Sequence, residues 1–230
     1  YDKILISSKG LKSTVEKRFN NSIEYFPNWA DKKIEDIIVD SKIKFKLPEK
    51  KFIIMYTGNI GHAQGFDQIA KTINELVKHK ILWIFIGGGS YKEDFETLLK
   101  NYKVSKKCLF IDQVNISKIP SYAYHANAML LTLKNDYIFT KTVPAKLQSY
   151  LALGKPIIAP IAGEGASLVK HSQSGIVEDT SDYIKLADLI LSFSKLKKNQ
   201  LDKIGENGRM YYDKNYRIKI RKKQLLDLFK

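Results

Sequence analysis

The sequence predicts an α/β protein built on a doubly wound parallel sheet. Three observations carry this reading. Short apolar runs bounded by turn residues, among them FIIMY at 52–56 and LWIFI at 82–86, read as strands buried on both faces. Segments with helical spacing separate them. The clearest is 66–79, where Phe66, Ile69, Ile73, Leu76 and Val77 share one face. The stretch VPAKLQSYLALGKP, residues 143–156, passes from helix to strand across one glycine. Alternation at this spacing implies right-handed crossovers and a parallel sheet.

The elements follow in order. Residues 3–7 and 23–26 read as short strands around a helix at 11–19. The punctuated segment PNWAD (27–31) closes them. Residues 32–50 mix charges with isolated apolars and read as a linker with a weak helix, holding a domain boundary. Strands are then expected at 52–56, 82–86, 108–111, 128–133, 156–160 and 175–177. Helices are expected at 66–79, 91–102, 116–125, 146–153 and 166–171. Two or three helices fill the remainder, the last a basic one at 216–229. The domain reading is 1–45, 46–210 and a terminal helix at 211–230.

Composition narrows the function. Hydrophobic residues at 44% and aromatics at 11% suit a globular core. No apolar run reaches the roughly 20 residues of a membrane span, and no signal peptide is read. The one cysteine, Cys108, sits in the apolar run CLFI and reads as a core thiol in a reducing compartment, so a cytoplasmic location is expected. A start at Tyr1 rather than Met leads us to expect further sequence upstream. The net charge of +15 points to an anionic partner: a nucleotide, a lipid pyrophosphate or an acidic membrane. A solvated lysine surface is the plainer alternative. Nucleic acid is disfavoured, because only four of the 39 basic residues are arginine.

In such sheets ligands meet the carboxyl ends of strands near the topological switch point. Four segments fall there. The loop after the first buried strand holds Gly58, Asn59, His62 and Gln64; it matches neither the dinucleotide fingerprint nor a P-loop. Gly88 lies in the next loop. Pro144, Lys146 and Ser149 lie on the helix of the 143–156 stretch. Pro144 suits its first turn, whose free amides with Lys146 make an anion site. Gly163, Glu164 and Gly165 open the following helix and offer amides with one carboxylate. Each glycine loop also reads as a structural turn, and Glu164 also as a helix cap. His79 and His171 fall late in helices, where cations suit carbonyl ends. No Cys/His cluster or Asp pair points to a metal.

The segments FPNWAD (26–31), YTGNIGHAQGF (56–66), IFIGGG (84–89), VPAKLQSYLALGKPIIA (143–159) and GEGASLV with SGIV (163–177) resemble the C-terminal, nucleotide-sugar-binding half of GT-B glycosyltransferases of the large retaining family 4. The likeness is nearest to a subgroup proposed to transfer N-acetyl-fucosamine-type amino sugars in bacterial surface polysaccharide assembly. It implies a Rossmann-like domain that binds a UDP-sugar, with Ile111 joining the donor-binding set. It also implies an N-terminal domain of which residues 1–40 are the tail, a glycan or lipid-linked acceptor, and no metal cofactor. The family's two glutamates would fall at Lys141 and Ser149, and its usual Arg and Lys at Asn59 and Gln64. The diphosphate is therefore assigned to Lys146, His62 and helix amides, and the ribose to Ser149 or Glu164. Catalytic residues are left unplaced, with the acceptor, in the N-terminal domain. The basic last helix is expected either to return to that domain or to touch an anionic membrane. The rivals are a UDP-sugar epimerase of the same fold and a non-enzymatic nucleotide-sugar or nucleic-acid binding module.

Overall fold

The computed structural model of the chain describes residues 3–40, 51–179 and 181–228. The elements run β1 (Lys3–Ile6), α1 (Lys12–Glu16), β2 (Ser22–Tyr25), α2 (Lys32–Glu35), β3 (Phe52–Thr57), α3 (Phe66–Glu75), β4 (Ile81–Ile86), α4 (Lys92–Asn101) and β5 (Cys108–Ile111). They continue with α5 (Ile119–Tyr124), β6 (Ala128–Leu130), α6 (Tyr137–Thr140), α7 (Ala145–Leu153), β7 (Ile157–Pro160), α8 (Gly163–His171), β8 (Gly175–Glu178), α9 (Tyr183–Ser194), α10 (Lys198–Asn215) and α11 (Ile218–Leu228).

Six strands make one parallel sheet in the order β5-β4-β3-β6-β7-β8. The chain winds outward from β3 in one direction and from β6 in the other, so the switch point lies between them. Period-2 alternation distributes the core. Ile53 and Met55 pack with Leu147 and Leu151 of α7, Val169 of α8 and Tyr212 of α10. Ile54 and Tyr56 point the other way, onto Phe66 and Ile69 of α3, Phe95 of α4 and Ile190 of α9. Every residue of β4 is buried, as a strand covered on both faces requires. Cys108 is free and half-buried, and burial pushes its thiol up to about 12, so it behaves as packing.

The expected architecture stands, with local corrections. The helix expected at 146–153 begins one residue earlier, at Ala145, with Pro144 as its N-cap rather than in its first turn. It is not amphipathic: six of its nine residues are buried, because it lies between the sheet and α10. Gly154 closes it in the left-handed region (φ 64°), and a Cβ on Gly205 of α10 would sit 2.1 Å from the Gly154 carbonyl. The helix expected at 166–171 starts three residues earlier, at Gly163. α3 ends at Glu75, where Leu76 leaves helical geometry. β6 stops at Leu130, and α6 follows where no helix was expected. The boundary read at 210/211 falls inside α10. Most of the linker, residues 41–50, lies outside the described residues.

β1 and β2 pair in parallel as a separate two-stranded sheet. Several hydrogen bonds tie it to the rest. The Val143 amide donates to Ser8 Oγ (2.8 Å), the Lys9 and Gly10 amides donate to the Glu164 carboxylate (2.9 and 2.6 Å), and α11 returns to it through Gln224 Nε2 donating to the Tyr25 carbonyl (2.7 Å). No described helix is long and apolar enough to cross a membrane.

Glu35 locks α2 to the C-terminal helices. It is buried (6% exposed) and accepts from the Tyr212 hydroxyl and the Ile218 amide, both at 2.9 Å, while Tyr212 accepts in turn from the Ala30 amide. Removing the carboxylate strands the buried Tyr212 hydroxyl and the part-buried Ile218 amide. Glu35→Ala is therefore expected to lower unfolding free energy by about 3 kcal/mol, read as the urea midpoint at constant slope. Glu35→Gln keeps an acceptor and is expected to cost less than half of that.

Candidate functional site

A cavity of about 400 Å³ opens at the carboxyl ends of β3 and β4. Thr57, Gly58 and Asn59 form one side, Gly87 and Gly88 the next, and Lys146, Ser149 and Tyr150 of α7 the third. Gln113, Val114, Ile116 and Ile119, with Ile34 and Ile86, complete it with a mainly apolar wall.

The two glycine loops are laced together by backbone. Gly58 donates to the Ile86 carbonyl and Ile60 to that of Gly88 (both 2.8 Å), and Gly87 donates to the Ile111 carbonyl (2.9 Å). Gly87 has φ 135°, and a Cβ there would lie 2.2 Å from the Gly58 carbonyl oxygen, so the protein itself demands a glycine. Gly88 differs. An added Cβ meets nothing within 4 Å, and its φ is unexceptional. The missing side chain of Gly88 leaves open space on the cavity wall.

Helical spacing aligns Lys146, Ser149 and Tyr150 on one face of α7. Tyr150, fully buried, receives the Thr57 amide on its hydroxyl (3.1 Å) and fixes α7 to the end of β3. Burial pushes that phenol up to about 12, keeping it protonated. One turn earlier, the Lys146 ammonium lies 4.1 Å from the centroid of the Tyr56 ring and donates to the Tyr56 hydroxyl, which donates to the Asn59 carbonyl. No carboxylate pairs with Lys146 among the described residues. Burial accordingly lowers its ammonium to about 8. The α7 amides of Ala145 and Lys146 have no intrahelical acceptor, by position in the first turn. A half-buried cation, a helix tip and a glycine wall together suit an anion with a bulky organic substituent.

This arrangement predicts a pH response. Bound anion stabilises the ammonium, so affinity for an anion of fixed charge should be flat below about pH 7. Above the Lys146 value of about 8 it should fall, towards a limit of about tenfold per pH unit for one coupled proton. Calorimetry between pH 6.5 and 9.5 reads it. The stability consequence has the opposite sense. The folded value lies below the ordinary 10.5, the unfolded chain holds the extra proton between about 8 and 10.5, and this lysine's contribution to stability rises with pH across that window.

Of the expected residues, the structure brings together Gly58, Asn59, Gly88, Lys146 and Ser149. The others lie apart from this cavity. His62 is exposed and its ring rests on Tyr91 (centroids 4.8 Å apart). Gln64 turns inward and accepts from the Gly61 amide (2.9 Å), closing its own loop. Ile111 packs against the core. Pro144 lines a separate crevice with Thr142 and Ile161. Gly163 is pressed on the Thr140 carbonyl and Gly165 on Pro144 and Ile161, so both serve close packing. Glu164 spends both oxygens on Lys9 and Gly10 and faces another cavity. Sequence reasoning missed Tyr56, Thr57, Gln113, Val114 and Tyr150. Among the described residues no group of three or more His, Cys, Asp or Glu is placed to hold a metal ion.

The chain is 25% identical to WcaI of Escherichia coli K12, named as a candidate colanic acid biosynthesis glycosyl transferase, over 65% of this chain and 38% of WcaI. It is 23% identical to the 2-deoxystreptamine N-acetyl-D-glucosaminyltransferase of Niallia circulans, over 64% of this chain and 37% of that one. The chain thus spans roughly 40% of the length of these two relatives. Among solved structures, sucrose-phosphate synthase of Thermosynechococcus elongatus superposes with a TM-score of 0.80 (15% identity, 99% of this chain, 57% of that one). HepE of Anabaena, solved with UDP and glucose, gives 0.78 (12% identity, 99% and 62%). Residues 37–211 match the family described as glycosyl transferases, group 1. The match takes in all six strands of the large sheet and every wall of the cavity around Lys146 except Ile34, and this chain belongs to that family.

Proposed function

We propose that this chain is the donor-binding half of a glycosyltransferase and that its cavity at the β3 and β4 ends holds the diphosphate of a UDP-sugar. One observation carries the reading: the Lys146 ammonium, unpaired with any described acid, sits at a helix tip beside the open wall at Gly88. The apolar wall of Val114 and Ile116 suits a planar base. The HepE structure, which contains UDP and glucose on the same fold, supports the choice of nucleotide.

In the reaction the bond from the sugar's anomeric carbon to the diphosphate breaks, and an acceptor hydroxyl oxygen bonds to that carbon with retention. Negative charge grows on the departing diphosphate. Lys146 is a donor held in the cavity wall, the free first-turn amides of α7 are assigned to the same charge, and such preorganisation stabilises the transition state without rearrangement. The reading assigns charge neutralisation to these groups rather than to a metal ion. The acceptor, a glycan or lipid-linked sugar, and the groups that handle its proton are assigned to a further N-terminal domain, of which β1 and β2 are the end. The relative from Niallia circulans, named for N-acetyl-glucosaminyl transfer, supports an amino sugar as the transferred group, and WcaI supports surface polysaccharide as the product.

The test is calorimetry of the chain with UDP, UDP-N-acetylglucosamine and a random oligonucleotide. Saturable one-to-one binding of the first two is expected, without turnover. A steeply salt-dependent affinity for the oligonucleotide with no response to UDP rejects the assignment in favour of a nucleic-acid module.

A further inference from the structure

A second cavity, of about 660 Å³, has Glu164 in its wall and no part in the reading above. Four separated parts of the chain build it: the turn at Lys9, the end of β2, one side of α8, and the junction of α10 with α11. Its walls combine tyrosines with cations. The Tyr25 and Tyr216 hydroxyls are hydrogen-bonded, and Tyr216 is bonded in turn to Tyr211. His171 packs edge-on against Tyr211 (5.6 Å), and the Lys9 ammonium lies 5.1 Å from the centre of the Tyr25 ring.

Arg221 is the unexplained group. Its Nη1 donates to the Gln224 side-chain oxygen and its Nη2 to the Asn215 carbonyl, both neutral acceptors. Its Nε is shut from solvent and has no acceptor among the described residues. No described carboxylate lies within ion-pair distance. A half-buried guanidinium without an anion is costly, and so is an unmade hydrogen bond. The one acid in the wall, Glu164, is already engaged by the Lys9 and Gly10 amides. Two cations and a histidine therefore face the cavity against one hydrogen-bonded carboxylate. Desolvation raises the Tyr25 and Tyr216 phenols, so both stay protonated within their hydrogen-bonded chain.

We propose that this cavity is a second binding site, which takes a phosphate or diphosphate ester of a carbohydrate. The phosphate oxygens pair with Arg221 and Lys9, for which a guanidinium fork and a mobile ammonium are suited. The sugar lies against the tyrosine faces and receives their hydroxyls, an apolar body with a polar edge. The site shares no lining residue with the Lys146 cavity and does not depend on the donor assignment. Two sources supply this chemistry: a soluble sugar phosphate, and the headgroup of a lipid-linked sugar pyrophosphate.

The chain's four arginines make the experiment direct, because only four Nε–H signals are expected in a nitrogen-15 spectrum. Arg221→Lys identifies the Arg221 signal by its loss. The intact chain is titrated with glucose 1-phosphate, and separately with phosphatidylcholine vesicles with and without a polyprenyl-pyrophosphate sugar. The Arg221 signal should move on adding glucose 1-phosphate, and equally in Lys146→Ala. Lys9→Glu, an exposed change that keeps the backbone amide used by Glu164, should weaken binding at least about tenfold. Sedimentation with the doped vesicles alone, lost in Lys9→Glu, assigns the lipid source; a response to glucose 1-phosphate alone assigns the soluble one. The proposal is overturned if neither ligand moves the Arg221 signal at millimolar concentration. It is also overturned if the response disappears in Lys146→Ala, or if Lys9→Glu binds like the parent.

Discussion

Replacing Lys146 with alanine is expected to weaken UDP binding by about 10- to 100-fold and to leave the fold intact. The magnitude follows from one or two charge-assisted hydrogen bonds, each worth about 1.5–3 kcal/mol. The fold should survive because Lys146 is an uncompensated cation. Its ammonium is held near 8 by burial, so the folded protein carries it at a cost below that pH. The neighbouring anchor, Tyr150 on Thr57, remains. Thermal unfolding of the variant near pH 7 should match or slightly exceed the parent, while the calorimetric signal for UDP collapses. Arginine is not an adequate replacement here. The Lys146 stem lies against Gly58, where an added Cβ would come within 2.7 Å of Cε, and a guanidinium fork is broader than the slot between Gly58 and Tyr56. Equal affinity in Lys146→Ala and the parent places the nucleotide elsewhere.

Gly88→Val should leave stability within about 0.5 kcal/mol and reduce UDP affinity at least about tenfold, whereas Gly87→Ala should do the reverse through the fold. The neighbouring glycines differ in what requires them. At Gly87 a Cβ would collide with the Gly58 carbonyl at 2.2 Å in a backbone conformation that L-residues avoid, so alanine is expected to cost about 3 kcal/mol or more. At Gly88 nothing in the protein opposes a side chain, and valine instead fills the cavity that the ligand is proposed to enter. Denaturant midpoints and UDP titrations on both variants separate the two effects. Undiminished binding by a well-folded Gly88→Val protein would show that no ligand approaches this wall.

The sheet was legible because its strands are buried on both faces and so read as unbroken apolar runs between glycine and helix. The helix tip with Lys146 was legible from the order of Pro144, Lys146 and Gly154. The faces of that helix were not, because its second covering layer is α10, some 50 residues onward, and only the fold brings Gly205 against Gly154. Tyr56 escaped notice for a related reason. Within FIIMY it reads as core, and its ring is core, while its hydroxyl, also inside, meets the Lys146 ammonium at the strand end. The engagement of Glu164 was not legible because its partners, the amides of Lys9 and Gly10, lie more than 150 residues away. His62 and Gln64 shared a glycine-rich loop with true lining residues. Local sequence does not reveal that the loop makes a tight turn, seating one against Tyr91 and folding the other onto Gly61.

A crystal structure of the chain with UDP tests the central claim most directly. The account predicts a diphosphate oxygen within hydrogen-bonding distance of Lys146 Nζ, backbone of the 58–59 or 87–88 loop beside it, and the uracil ring against Val114 and Ile116. A nucleotide seated away from Lys146, or a Lys146 ammonium still bound only to Tyr56 in crystals saturated with UDP, contradicts it.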